Sequence, residues 1–188
     1  MYYDVFISGF GGQGILLAGQ LLAEAAMEKG LNVTFFPSYG VEMRGGTARC
    51  TVVISDEAIG SPIVDSPKCV IAMNQPSLVR YQESVPPGGL FIVNSSLANL
   101  DDVKREDIEV HDIPMSELAI ELGNARLSNM VALGAFSRLS ESISPDEIAG
   151  ALEAVISARN RSLIPLNERA IMEGARYAGE KAVLGKSA

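Results

Sequence analysis

Six residues, Gly9-Phe10-Gly11-Gly12-Gln13-Gly14, constrain this chain more than any others. The apolar run Val5-Phe6-Ile7 precedes them, and a long apolar run from Ile15 to Met27 follows. Strand, glycine turn and helix is the reading this order supports. In the G-x-G-x-x-G spacing, Gly9 allows the tight turn, Gly11 lets a bound group approach the backbone, and Gly14 lets the helix lie close on the strand. With the helix opening near Gly12, the N–H groups of its first turn and the positive end of its dipole face the turn, so an anion is the natural guest. Three uses stay open: a tightly held dinucleotide, transient contact with a phosphate-bearing substrate or a subunit, and a turn that only packs helix on sheet. An NAD site usually adds an acid about 20 residues on. Here the second strand ends Thr34-Phe35-Phe36-Pro37 without one.

A second glycine-rich stretch, Ser38-Tyr39-Gly40-Val41-Glu42-Met43-Arg44-Gly45-Gly46, follows that strand. Flexible residues cost backbone entropy without adding core, so three glycines among nine residues point to a working loop. Ligands of open α/β sheets bind outside the carboxyl ends of the strands. If strands one and two are neighbours, this loop lies beside the first turn. Arg44 is then the anion- or partner-binding group, and Glu42 holds it or the loop in position. The candidate binding residues are Gly9, Gly11, Gly12, Gln13 and Gly14 from the first stretch. Ser38, Tyr39, Gly40, Glu42, Arg44, Gly45 and Gly46 come from the second.

With 188 residues, 47% of them hydrophobic, the chain can bury the core of one domain spanning 1–188. Charged residues make up only 20%, which suggests that a partner covers some of the surface. The net charge of −8, without a basic block, argues against nucleic acid and anionic membranes. No apolar run is long enough to span a bilayer, no signal peptide is evident, and the expected compartment is the cytoplasm. The two cysteines, Cys50 and Cys69, read as core hydrophobes in strands, and the single His111 as structural. No hydrolytic triad, metal-ligand cluster or P-loop appears. No residue is nominated as catalytic or as a metal ligand, and a contributory subunit fits better than a complete enzyme.

Periodicity fills in the rest. Tyr3 to Ser8, Leu31 to Phe36, Cys69 to Met73, Leu90 to Val93 and Glu109 to Ile113 read as strands, with a short one near Ile63-Val64. Thr47 to Ser55 alternates Ala48, Cys50, Val52 and Ile54 inward with Arg49, Thr51 and Val53 outward, the pattern of a half-exposed antiparallel edge strand. Pro76 enters one helix, Pro114 precedes another, and Asn129 to Leu139 forms a third with Gly134 at a close contact. Ser144-Pro145-Asp146-Glu147 is a capping box opening a helix to about Ala158. Asn167 caps a last helix, with Arg169–Glu173 and Arg176–Glu180 pairs along it. The expected fold is a Rossmann-like three-layer α/β/α domain with a mostly parallel sheet and an antiparallel edge strand.

Taken together at their spacing, the two glycine stretches, Ser55-Asp56, Gly60-Ser61-Pro62 and Asn129-Met130-Val131-Ala132-Leu133-Gly134-Ala135 resemble the gamma subunit of 2-oxoacid:ferredoxin oxidoreductases. The resemblance covers nearly the whole chain. It implies a complex that oxidatively decarboxylates a 2-oxoacid with coenzyme A, giving an acyl-CoA, CO2 and two reduced ferredoxins. Thiamine diphosphate and iron–sulfur clusters are expected on alpha, beta and delta partner subunits, since this sequence carries neither motif. The chain then binds no cofactor alone, covers the active-site region and helps handle coenzyme A. 2-Oxoglutarate is the expected substrate, with branched-chain 2-oxoacid and indolepyruvate enzymes as rivals. A stand-alone nucleotide- or flavin-binding protein is the alternative.

Overall fold

The computed structural model describes residues 1–39 and 47–185. Six strands form one sheet in the order β2-β3-β1-β4-β5-β6. They are β1 (Tyr2–Phe10), β2 (Asn32–Tyr39), β3 (Thr47–Ser55), β4 (Cys69–Ala72), β5 (Leu90–Asn94) and β6 (Glu109–Ile113). The helices are α1 (Ile15–Glu28), α2 (Gln75–Tyr81), α3 (Met115–Glu121), α4 (Ser128–Ser140), α5 (Pro145–Gly150), α6 (Leu152–Val155) and α7 (Ile164–Gly185).

β1, β4, β5 and β6 pair in parallel, whereas β3 runs antiparallel to both of its neighbours. The mostly parallel α/β sheet expected from the sequence is therefore present, with its antiparallel strand one place in from the edge. β2 is an edge strand, the place in a sheet where a proline such as Pro37 is tolerated. β1 and β2 are not neighbours, because β3 lies between them. The outward residues of β3 are also less exposed than their alternation suggests: Thr51 and Val53 are both buried.

The two faces are covered unequally. One packs Val5, Ile7, Cys50, Val52, Ile71 and Ile92 under α1, α3, α4 and α7. The other packs Phe6, Val70, Phe91 and Val93 under Leu78 and Tyr81 of the short helix α2 and the chain after β5. Small residues let the larger layer close. A Cβ on Gly134 would lie 2.8 Å from the Ile171 carbonyl carbon, and one on Gly174 2.8 Å from that of Val131, so α4 and α7 cross backbone to backbone. Gly134 is thus at the close contact expected of it.

Local chemistry explains several boundaries. Gly30, at φ 80°, follows the end of α1, a left-handed position that glycine adopts without a Cβ penalty. Ser144 and Glu147 form the reciprocal capping box, with Ser144 N donating to Glu147 Oε2 at 2.7 Å and Glu147 N donating to Ser144 Oγ at 3.2 Å. The helix it opens breaks after Gly150, so the single helix to Ala158 is replaced by α5, α6 and a 3-10 turn. α7 begins at Ile164, and Asn167 lies inside it, its Nδ2 donating to the Leu163 carbonyl at 2.7 Å. Glu173 pairs with Arg176 rather than Arg169, and Arg176 also takes Glu180. Ile63-Val64 form no strand.

Candidate functional site

The parallel strands β1 and β4 are neighbours, yet their chains leave toward opposite faces of the sheet. β1 turns into α1 on the heavily covered face, and β4 into α2 on the other. Such a divergence is a topological switch point, where an α/β sheet opens a crevice at the carboxyl ends of its strands. Gly9–Gly14 borders that crevice on one side and Met73-Asn74-Gln75 on the other.

The turn's glycines do not divide the work as their spacing implies. Gly9 is still within β1, where a Cβ would fall 2.5 Å from Gln13 Oε1 and 2.9 Å from Met73 Cβ. Its role is to make room for Gln13. Gly11 and Gly12 are exposed, and Gly12 takes the left-handed φ of 100°. Gly14, at φ 71°, is the N-cap of α1, which begins at Ile15 rather than Gly12. Its missing side chain leaves space for Asn129 of α4, not for the strand: Asn129 Nδ2 donates to the Gly14 carbonyl at 3.2 Å.

Gln13 reaches across the crevice. Its Oε1 accepts from Phe10 N at 2.6 Å and from Asn74 Nδ2 at 3.3 Å, while its Nε2 donates to the Met73 carbonyl at 3.3 Å. Asn94 Nδ2, from β5, donates to the same carbonyl at 3.2 Å. Asn74 caps α2 by accepting from Ser77 N at 3.0 Å, and Ser77 Oγ lies 3.0 Å from Ser8 Oγ. Asn74, Asn94, Asn129, Ser8 and Ser77 were not nominated from the sequence. For Ser8, Asn74 and Asn94 the available signal was a polar residue at the carboxyl end of a buried apolar strand; Asn129 and Ser77, on helices, had none.

Of the second stretch, Ser38 lies in β2, paired across the ladder with Arg49, and Tyr39 ends the strand opposite Ala48. Gly40, Glu42, Arg44, Gly45 and Gly46 lie outside the described residues. The strand ends that flank them are on the rim of the glycine turn: Ala48 pairs with both Tyr39 and Gly9, and Thr47 with Phe10.

Arg49 is a further feature that sequence reasoning left as an outward strand residue. Its guanidinium lies over the Phe6 ring at 4.6 Å and near Tyr81 at 5.7 Å, and Arg80 sits 5.4 Å from the same tyrosine. This cationic stack is on the α2 face, one ladder position from Gly9.

The other titratable groups have structural surroundings. Burial pushes the Cys50 thiol up to about 12 and raises Cys69 well above its ordinary value, so neither is a thiolate at neutral pH. They sit on β3 and β4 with β1 between them, an arrangement that does not fit a cluster. His111 Nε2 lies 2.8 Å from Glu109 Oε1 on β6, three strands from β1. No helix among the described residues is long and apolar enough to cross a membrane.

Comparison with known proteins agrees with this geometry. Ketoisovalerate oxidoreductase subunit VorA of Methanothermobacter thermautotrophicus is 37% identical over 177 residues, 94% of this chain and 36% of the relative. This chain thus spans about a third of that protein. The keto/oxoacid ferredoxin oxidoreductase gamma subunit of Geobacter sulfurreducens superposes with a TM-score of 0.80 at 28% identity, covering 94% of this chain and 98% of that one. The 2-oxoglutarate:ferredoxin oxidoreductase of Magnetococcus marinus, solved with 2-oxoglutarate, coenzyme A and succinyl-CoA bound, gives 0.86 at 28% identity, covering 95% of this chain and 31% of that one. The family model for pyruvate ferredoxin/flavodoxin oxidoreductase matches residues 4–177. With nearly its whole length matched, from β1 into α7, the chain belongs to the pyruvate ferredoxin/flavodoxin oxidoreductase family.

Proposed function

We propose that this chain is the gamma-type subunit of a 2-oxoacid:ferredoxin oxidoreductase. In that reaction a 2-oxoacid, coenzyme A and two oxidised ferredoxins give an acyl-CoA, CO2, two reduced ferredoxins and a proton. Thiamine diphosphate and iron–sulfur clusters on alpha, beta and delta partners supply the decarboxylation and electron transfer. This chain covers the active-site region and helps position coenzyme A, without a catalytic residue of its own.

One observation carries the reading. The glycine turn and the strand ends that flank the second stretch lie on one rim of the sheet, with Thr47 paired to Phe10 and Ala48 to Gly9, the rim outside which ligands of such sheets bind. Relatives in which the domain is only 36% or 31% of a longer chain support the view that it works against other domains. 2-Oxoglutarate is the favoured substrate, supported by the 0.86 superposition on the 2-oxoglutarate enzyme. A branched-chain 2-oxoacid is the second reading, favoured by 37% identity to the ketoisovalerate subunit.

The test is reconstitution. The complex is assembled with and without this chain, and viologen reduction is followed with 2-oxoglutarate and 2-oxoisovalerate, each with and without coenzyme A. Coenzyme A-dependent turnover is expected only when the chain is present. Equal turnover without it would refute a role in handling coenzyme A, and the preferred oxoacid decides the substrate.

A further inference from the structure

One N–H of the glycine turn, that of Phe10, is already engaged. Gln13 Oε1 accepts from Phe10 N at 2.6 Å and from Asn74 Nδ2 at 3.3 Å. Its Nε2 ties the carboxamide to the Met73 carbonyl at 3.3 Å, and Gly9 has no Cβ to push it away. A pyrophosphate seated in the crevice in the dinucleotide manner would have to displace this side chain and leave the Met73 carbonyl without one of its donors.

The α2 face of the same rim carries two arginines at aromatic rings. Arg49 is half-buried, its guanidinium over the Phe6 ring at 4.6 Å and 5.7 Å from the Tyr81 ring, and Arg80 adds a second cation 5.4 Å from the Tyr81 ring. A guanidinium held over an aromatic ring remains a planar fork of N–H donors, suited to an oxyanion. Among the described residues neither arginine has a carboxylate within ion-pairing distance, although the chain carries 23 acids against 15 lysines and arginines. The ladder places Arg49 between Ser8 and Ser38, one position short of the glycine turn.

We propose that Arg49, with Arg80 at the same Tyr81 ring, binds a phosphate of the incoming coenzyme A. The assignment rests on the reading that this subunit handles coenzyme A, and it names the group that does so. Gln13 is then a positioning residue that holds the turn to the end of β4, leaving the rim clear for the carrier to lie along the α2 face.

The experiment uses the assembled complex, wild type and Arg49→Gln, with coenzyme A and with pantetheine, the same thiol without phosphates. A photoreactive coenzyme A analogue tests the parent reading separately, by whether label falls on this chain. The expected result is labelling of the wild-type chain and a loss of kcat/KM for coenzyme A of about tenfold to a hundredfold in Arg49→Gln. Turnover with pantetheine should stay unchanged, and Arg49→Lys should recover part of the loss. A purely structural role would lower both substrates together, and that result would overturn the proposal. Label on the chain with an unaltered coenzyme A response would also overturn it, leaving the parent reading intact. Absence of label would remove the parent reading itself. Failure of Arg49→Gln to retain the other subunits would assign Arg49 to a partner's carboxylate instead.

Discussion

Replacing Gly134 by alanine is the sharpest test of how the helical layer is built. The added methyl would lie 2.8 Å from the Ile171 carbonyl carbon and 2.9 Å from the Ala175 nitrogen, where ordinary contact is 3.4–4 Å. These are backbone atoms of α7 and cannot rotate aside, so α4 and α7 must part by about 1 Å, enough to forfeit at least a quarter of each dispersion contact across the seam. A large buried side chain makes about 50 contacts of roughly 0.15 kcal/mol; with about half on the facing helix, a quarter of that is roughly 1 kcal/mol. Val131 and Ile171 are the large buried residues nearest the crossing, which gives about 2 kcal/mol, and residual overpacking strain adds about 1 kcal/mol. Alanine's better helix propensity returns about 1 kcal/mol, leaving a net loss of about 2 kcal/mol. For a domain of this size that is a fall in melting temperature of roughly 4–8 °C. Urea denaturation followed by circular dichroism measures the free-energy loss, and a thermal scan the melting temperature. Gly150→Ala is the control, since nothing lies within 4 Å of a Cβ at that position, and it should be neutral or slightly stabilising. A Gly134→Ala protein as stable as wild type would show that α4 and α7 do not cross backbone to backbone.

Two further outcomes follow from named contacts. Gln13→Ala removes an acceptor from Phe10 N and a donor to the Met73 carbonyl; it should cost about 1–2 kcal/mol, and hydrogen exchange at the Phe10 amide should speed up. Unchanged exchange there would mean that Gln13 does not hold the turn. Glu147 is kept below its ordinary carboxylate range, first by the Ser144 backbone N–H and then by Lys29. A depressed folded value means its contribution is present above the unfolded pKa, near 4.3, and is lost as pH falls through the lower folded value. Glu147→Gln should therefore flatten the acid limb of the stability curve and leave the neutral plateau lower, whereas an acid limb parallel to wild type would contradict the assignment.

Much of the site's neighbourhood was legible in the chain, because the signals there are local. Val5-Phe6-Ile7 followed by glycines and an apolar run has one economical backbone solution, and β1 and α1 flank the turn accordingly. The run Cys69 to Ala72, all four residues buried, is similarly self-declaring as a central parallel strand. Arg49 was not legible as a ligand group. An arginine at an outward strand position looks like any solvated charge until Phe6 and Tyr81, 43 and 32 residues away in sequence, are placed beneath it.

What the sequence alone determined were most of the elements, the α/β class, the capping box at Ser144 and the family likeness carried by two glycine stretches. Each depends on residues a few positions apart, where backbone sterics and periodicity act without knowledge of the rest of the chain. What only the tertiary structure decided was the insertion of β3 between β1 and β2, the divergence of α1 and α2 at the switch point, and the use of Gln13 as an internal tie. Those outcomes depend on which surfaces meet across long stretches of chain. Spacing within a motif shows that glycines are needed; only their neighbours in space, Gln13 against Gly9 and Asn129 against Gly14, show what for.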